Sequence, residues 1–242
     1  MNRTVHAIFF KVNLRATFIT VASLLGTAAC AQGQQAIDPF EPINRQVYAF
    51  NGVADRILLR PAAVGYQRIF PGFIRSGIAN FFDNARYPLV FINQFLQGKV
   101  ALGFQDTARF LVNSSIGIAG FLDVAAKLGL AEHNEDFGQT LGVWGVGTGP
   151  YVVVPFWGPV TFRDGLGDVA DFYAELPTYI DHVPTRNTVT AVSFVVRRER
   201  LLAAERILSG DKYLFIRDAY LQQRQFLVTD GEDLSDPFLD DL

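Results

Sequence analysis

The sequence predicts an all-α, mostly helical protein broken by one Gly/Pro-rich irregular segment at residues 137–162. Three observations carry this expectation. Apolar residues recur at spacings of three and four along most of residues 38–229. No alternating apolar and polar run of comparable length competes with them. Residues 137–162, FGQTLGVWGVGTGPYVVVPFWGPVTF, contain no Asp, Glu, Lys, Arg or His, yet carry Gly138, Gly142, Gly145, Gly147, Gly149, Gly158, Pro150, Pro155 and Pro159. A regular helix there would cost about 1 kcal/mol per Gly and about 3 per Pro, which excludes a transmembrane helix despite the apolar length. Such backbone must be enclosed by protein or lie at a lipid boundary with its amides satisfied.

A chain of 242 residues allows one domain or two small ones. Charged residues make up 19%, below the roughly 25% usual for soluble domains, while hydrophobics reach 50% with 22 phenylalanines. Excess apolar surface follows. The net charge of −3 is unevenly placed: Arg3, Lys11 and Arg15 stand in an acid-free start, and the chain from Asp230 onward holds six acids and no base. Between them the charges balance. A neutral body lacks the basic stripe that nucleic acid requires.

Residues 1–29 have the layout of an export signal: three positive charges, the apolar run Ala16 to Leu25, then small residues leading to Cys30. With Cys30 as the one cysteine, neither an intrachain disulfide nor a cysteine-based metal site can form. Two processing routes compete. Leu25 to Cys30 resembles a bacterial lipobox, with Cys30 acylated as the new N-terminus, although Thr27 stands where leucine is usual. Ala29-Cys30-Ala31 is also an A-x-A site for ordinary signal peptidase. Residues 30–37 read as a tether, 38–229 as a single helical domain and 230–242 as an acidic, disordered tail.

The first helix begins near Pro42, places Val47, Phe50, Ala54 and Ile57 on one stripe, and is expected to end before Pro61. A second carries Ile74, Ile78, Phe81 and Ala85 and closes at Pro88; a short third carries Leu89, Ile92 and Leu96, with Asn93, Gln94 and Gln97 on its polar side. A fourth, Lys99 to Asn113, repeats the pattern through Ala101, Phe104, Ala108 and Leu111. Each stripe alone suits an ordinary helical core. Together, with Phe82 and Phe91 beside the main stripes, they suit helices that are central or lipid-facing, and a chain this size cannot make all of them central. A short helical segment spans Leu122 to Leu128, a long helix 187–209, and a last one carries Tyr213, Ile216, Tyr220 and Leu227.

DPFEPINR, FINQFLQG at 91–98, RFLVNSSIGIAGFLDVA at 109–125, the segment from Phe137 to Pro159, FRDGLGDVAD at 162–171 and IRDAYLQQR at 216–224 resemble, in matching order, the blocks of the MlaA (VacJ) family of outer-membrane lipoproteins. The resemblance implies a helical ring around a central amphipathic channel, lying in the inner leaflet of the Gram-negative outer membrane and bound to a trimeric porin. It further implies transfer of misplaced phospholipid to a soluble periplasmic carrier of the MlaC kind, without enzymatic chemistry or cofactor. The alternative is an envelope lipoprotein that scaffolds porins without moving lipid.

On a helix from Phe162, Asp164, Asp168 and Asp171 share one face with Arg163 beside them, an unfavourable row unless water or cations reach it. It suits a solvated surface or the polar wall of a lipid channel, where a headgroup ammonium would visit. Arg198 interrupts the apolar row of the 187–209 helix and faces either that channel or water. Catalytic patterns are missing: His6 lies in the signal, His133 and His182 are far apart in sequence, and no HExxH, G-x-S-x-G or P-loop occurs.

Overall fold

The computed structural model describes residues 38–207 and 210–231. The export signal, Cys30, the tether to residue 37 and the acidic tail from residue 232 lie outside the described residues. The described chain is built from α-helices and short helical turns, with one two-stranded antiparallel hairpin.

Helix α1 (Glu41–Ala54) starts with Pro42 in its first turn. It does not stop before Pro61. The backbone continues through a π-helical turn, Asp55–Leu59, into α2 (Arg60–Ile69). In an unbroken α-helix the Pro61 ring would press on the carbonyl four residues back. The wider turn, where Arg60 N–H donates to the Asp55 carbonyl, resets the ladder, and Pro61 falls in the first turn of α2 where no N–H is needed.

Helix α3 (Gly72–Leu96) is one helix of 25 residues in place of the two expected around Pro88. A proline inside a helix costs about 3 kcal/mol. Antiparallel pairing with α4 (Val100–Ser115) holds α3 on both sides of it. Asn84 Nδ2 donates to Ser114 Oγ (2.9 Å), and beyond the proline follow the ring pairs Phe91–Phe110 (6.1 Å) and Phe95–Phe104 (5.4 Å). Gly98, at φ 79°, supplies the left-handed residue that ends α3. A single helical turn, α5 (Val124–Lys127), follows α4.

The segment 137–162 is more regular than its glycines and prolines predict. Helix α6 (Phe137–Val143) is capped by Asp136, whose carboxylate accepts from Gln139 N–H (2.8 Å). Strands β1 (Tyr151–Val154) and β2 (Gly158–Thr161) then pair with Tyr151 opposite Thr161 and Val154 opposite Gly158. Four-residue strands flanked or interrupted by Pro155 and Pro159 are too short to show alternation, so periodicity does not reveal them. The open edge of β1 is met by α1 through two asparagines seven residues, or two turns, apart. Asn44 donates to the Tyr151 carbonyl (3.1 Å) and accepts from Val153 N–H (2.9 Å); Asn51 donates to the Val154 carbonyl (3.0 Å) and accepts from Phe156 N–H (2.8 Å). Two carboxamides thus replace a third strand.

Helix α7 (Phe162–Ala174) is capped by Thr161, and Gly167 brings its backbone against α6, where a Cβ would stand 2.3 Å from Gly138 N. Helix α8 (Val183–Leu201) is shorter than predicted and gives way to a 3₁₀ turn at Ala204–Ile207. Helix α9 (Lys212–Val228) closes the described fold, capped by Asp211. Arg224 of α9 bonds Asp136 (2.9 Å from Nη2) and Asp164 of α7 (3.0 Å from Nε), tying α6, α7 and α9 together.

Two stability effects are expected. Asn44→Ala leaves the Tyr151 carbonyl and Val153 N–H without the partners Asn44 supplies, and at about 1–3 kcal/mol per orphaned group equilibrium unfolding in detergent should show a loss of about 2–6 kcal/mol. Asn51→Ala, at the wetter end of β1, should cost less than half of that. Arg224→Met leaves Asp136 without a cation and Asp164 with Arg163 alone, and should cost about 3–5 kcal/mol, with Arg224→Lys restoring only part because one ammonium cannot fork to both.

Candidate functional site

The polarity of the helices runs opposite to an ordinary core. Phe50, Ile57, Phe81, Phe104 and Leu111, all members of the apolar stripes, lie on the outside, Phe104 at 66% and Leu111 at 58% of full exposure. The face buried between α3 and α4 holds Asn84, Asn93, Gln94, Asp106, Arg109 and Asn113. The amides read as the polar side of a short helix are therefore interior. Buried polar groups must find partners, and each of these six makes at least one hydrogen bond, with Asn84 Oδ1, Gln94 Oε1 and Arg109 Nε left over. Gln94 Nε2 donates to Asp106 (3.2 Å), whose other oxygen meets His133 Nδ1 (2.8 Å). Arg109 donates to Asp123 (2.6 Å) and to the Leu130 carbonyl (2.7 Å), and Thr140 Oγ1 donates to Asn93 Oδ1 (2.7 Å). Among the described residues no helix is long and apolar enough to cross a membrane.

Among the described residues thirty-four large apolar side chains are exposed, including Phe73, Trp144, Phe156, Trp157 and Phe172. An apolar exterior of this extent marks a surface made to be covered by protein or lipid. Between α1, the π turn, the hairpin tip and α8 lies a cavity of about 330 Å³. Ala54, Leu58, Leu59, Phe156 and Phe194 give it an apolar wall, with Asn51 and Asp55 as polar points. Its size and lining fall at the small end of ordinary organic-ligand sites.

The aspartates of α7 share one face but not one environment. Asp164 is buried and accepts from Arg163 Nε (2.9 Å), Arg224 and Tyr220 OH (3.0 Å). Burial pushes its carboxyl up, and the bonds from Arg224 outweigh that and hold it below the usual carboxylate range. Asp168 accepts from Trp157 Nε1 (3.0 Å), the tryptophan that lines the cavity on its other side. Burial raises its pKa, against the pull of that bond. Asp171 accepts from Phe137 N–H at the start of α6 (3.1 Å). Burial pushes it to about 7, the N–H opposing and the nearby Asp136 adding to the rise. Arg198 is committed to Asp55 in the π turn (2.6 and 2.9 Å) and to Glu205. Cys30 lies outside the described residues.

Sequence reasoning names Asp164 without its main partner, Arg224, which is 60 residues away and carries no local signal. It passes over the interior role of Asn44, Asn93 and Gln94. The seven-residue spacing of Asn44 and Asn51 on a helix is the one available hint, since it puts two carboxamides on a single face.

Comparison with known proteins agrees with this geometry. The family model described as MlaA lipoprotein matches residues 36–227. The intermembrane phospholipid transport system lipoprotein MlaA of Escherichia coli is 37% identical over 230 residues, spanning 92% of this chain and 91% of that protein. The protein of the same description from Haemophilus influenzae is 34% identical over 203 residues, 81% of this chain and 80% of that one. A solved structure described as the structural basis for maintenance of bacterial outer membrane lipid asymmetry matches with a TM-score of 0.70 at 36% identity, covering 79% of this chain and 98% of that one. By family model, relatives and fold alike, this chain belongs to the MlaA lipoprotein family.

Proposed function

We propose that this chain removes misplaced phospholipid from the outer leaflet of a Gram-negative outer membrane and passes it through an amphipathic channel to a soluble periplasmic carrier of the MlaC kind. Lipid asymmetry is maintained as a result. The observation that carries the reading is the reversed polarity of the fold, with Phe and Leu stripes outside and Asn, Gln, Asp and Arg inside. Such a body is suited to hydrocarbon around it and a polar path within it. In this reading it lies in the inner leaflet as a ring of helices against a trimeric porin, anchored by acylated Cys30. One acyl chain alone binds a membrane only marginally, so an apolar exterior and several chains reinforce one another.

The cavity beside Trp157 receives acyl chain along its apolar wall, while Asp168 and Asp171 meet a headgroup ammonium. Arg198 steadies that wall through its ion pair with Asp55, while Arg163 and Asp164 pair with each other, and Asp164 with Arg224, where α7 meets α9. Transfer down a channel makes and breaks no covalent bond, so neither nucleotide nor metal is required of this chain. A porin scaffold that moved no lipid is the competing reading, and the exposed aromatic surface would serve it equally well.

Deletion in the native host should raise the phospholipid content of the outer leaflet and lower resistance to detergent, as measured by leaflet-selective labelling and growth. Unchanged leaflet composition would favour the scaffold. Asp168→Asn with Asp171→Asn should reproduce the barrier defect at normal protein level and normal porin association; wild-type behaviour would remove the two carboxylates from the path.

The same pair predicts a pH dependence. Asp171 holds its proton to about pH 7 in the folded chain against a reference value of 3.8, so the folded state binds more protons across that interval. Stability should therefore fall as pH rises from about 4 to about 7, with the raised Asp168 and Glu135 acting in the same direction. Asp171→Asn, which keeps an acceptor for Phe137 N–H, should flatten the decline in urea unfolding of detergent-solubilised protein. An unaltered slope would assign it to other groups.

A further inference from the structure

The cavity between α1, the π turn, the hairpin tip and α8 is walled by side chains whose polar groups are already committed. Asn51 spends its carboxamide on the hairpin, donating to the Val154 carbonyl (3.0 Å) and accepting from Phe156 N–H (2.8 Å). Both oxygens of Asp55 are taken by the Arg198 fork, at 2.6 and 2.9 Å. Trp157 Nε1 donates to Asp168 (3.0 Å), which is not part of the lining. None of the buried polar atoms left without a partner among the described residues belongs to the lining. What the walls still offer is apolar surface from Ala54, Leu58, Leu59, Phe156, Trp157 and Phe194. The same contacts hold those walls in place. Phe156 is kept at φ 63°, which an aromatic residue rarely adopts, by the Asn51 bond and by its ring contact with Phe50 (5.1 Å). Trp157 packs edge-on against Phe194 (6.4 Å). The space is therefore preformed.

Size then limits what enters. A methylene takes up about the space of one liquid water, roughly 30 Å³, so about eleven chain carbons fill a cavity of about 330 Å³. That is one acyl chain, with no room for a second of the same length. Charge sets the headgroup end. The one carboxylate of the lining, Asp55, is matched by Arg198, whereas Asp168, bonded to the lining through Trp157, makes no ion pair among the described residues. An unmatched carboxylate disfavours a fatty-acid anion beside it and favours an ammonium. We infer that the cavity is a single-chain site that takes a lysophospholipid with an amine headgroup, as well as one of the two chains of an intact phospholipid. The inference rests on the lipid-transfer reading above and adds a ligand with half the hydrocarbon. An intact phospholipid keeps its second chain outside the cavity, where Val53 and Ile57 expose apolar surface on the same stretch of backbone.

The test uses the full chain in amphipol, which brings no competing alkyl detergent, with Trp144→Phe so that Trp157 is the only tryptophan and its fluorescence reports the cavity. The probes are octanoyl, decanoyl, dodecanoyl and tetradecanoyl lysophosphatidylethanolamine, dodecanoate, and didodecanoylphosphatidylethanolamine. Affinity for the lysolipids should rise about three- to fourfold per methylene up to dodecanoyl and by no more than about twofold beyond it. Dodecanoate should bind about tenfold or more weakly than its lysolipid. Ala54→Phe, which fills the cavity, should remove the saturable response. Leu59→Ala, which enlarges it, should carry the plateau to longer chains, a gain that a folding defect would not produce and that answers the question even if Ala54→Phe fails to fold. Affinity that climbs evenly through tetradecanoyl and ignores both variants overturns the single-chain site. Saturable binding of the two-chain lipid alone also overturns it, while leaving lipid transfer standing. Dodecanoate bound as tightly as the lysolipid overturns the amine assignment in favour of a free fatty acid. A Trp157 response to none of the probes overturns both the single-chain site and the lipid reading.

Discussion

Polar groups inside this protein have to satisfy one another, because the outward faces of its helices are apolar. The purely apolar clusters are small: Tyr66, Ala79 and Val196 where α8 crosses α2 and α3, and Tyr151, Val153 and Tyr213 beneath α1. Apart from these and a few further buried apolar side chains such as Leu89, Val90 and Val160, the interior is held by hydrogen bonds and paired charges. A buried ion pair is a weak source of stability beside well-packed hydrocarbon, but removing one partner is costly because the other stays behind unpaired. The consequence is a fold with few dispensable interior residues. Arg109 shows this: it reaches Asp123 and the Leu130 carbonyl at once, and its guanidinium also lies over the Tyr87 ring at 5.5 Å. One side chain therefore fixes α3, α4 and the loop that follows them.

That inversion explains how much was legible in the sequence. Helical periodicity shows which residues share a face, yet within the stripes through Phe50 and Phe81 the members Val47 and Ile78 turn inward onto the buried clusters while the phenylalanines lie exposed. Periodicity cannot show whether the shared face meets a core or the outside. Only the total did, since several broad Phe-rich helices exceed what one small domain can enclose. The partner choices of the buried groups were hidden for a different reason. Asn44 meets β1 across 107 residues and Arg224 meets Asp164 across 60, and no local pattern encodes such distances.

The two proline errors share a cause. Proline at 61 and at 88 was expected to end a helix because it removes a backbone bond and crowds the carbonyl before it. A single chain has two ways around this, and both occur here. At Pro61 the ladder is widened into a π turn, which also directs Asp55 toward Arg198. At Pro88 the helix continues unbroken along its pairing with α4, and the loss is offset by contacts on each side. Neither remedy has a sequence signature, since one depends on register and the other on a neighbouring helix.

The uncharged segment at 137–162 and the acidic row of α7 turn out to be one construction. Each aspartate touches the segment at a different point: Asp171 accepts from Phe137 N–H at its start, Asp168 from Trp157 Nε1 at the hairpin tip, and the Asp164 amide donates to Thr161 Oγ1 at its end. At Asp168 and Asp171 the helix supplies carboxylate acceptors to a stretch without charged side chains, and at Asp164 the stretch supplies the acceptor and caps the helix. The row is thus spaced by what it holds. Its electrostatic cost is met unequally, with Asp164 neutralised by Arg224 while Asp168 and Asp171 are left with raised pKa values and no arginine of their own. Burial disfavours ionisation at the two positions nearest the hairpin tip and the start of α6, and neither carboxylate has a cation among its hydrogen-bond partners. An ammonium beside them would favour their ionised forms, which is the physical reason to assign Asp168 and Asp171, and not the arginine-paired Asp164, to contact with a passing cation.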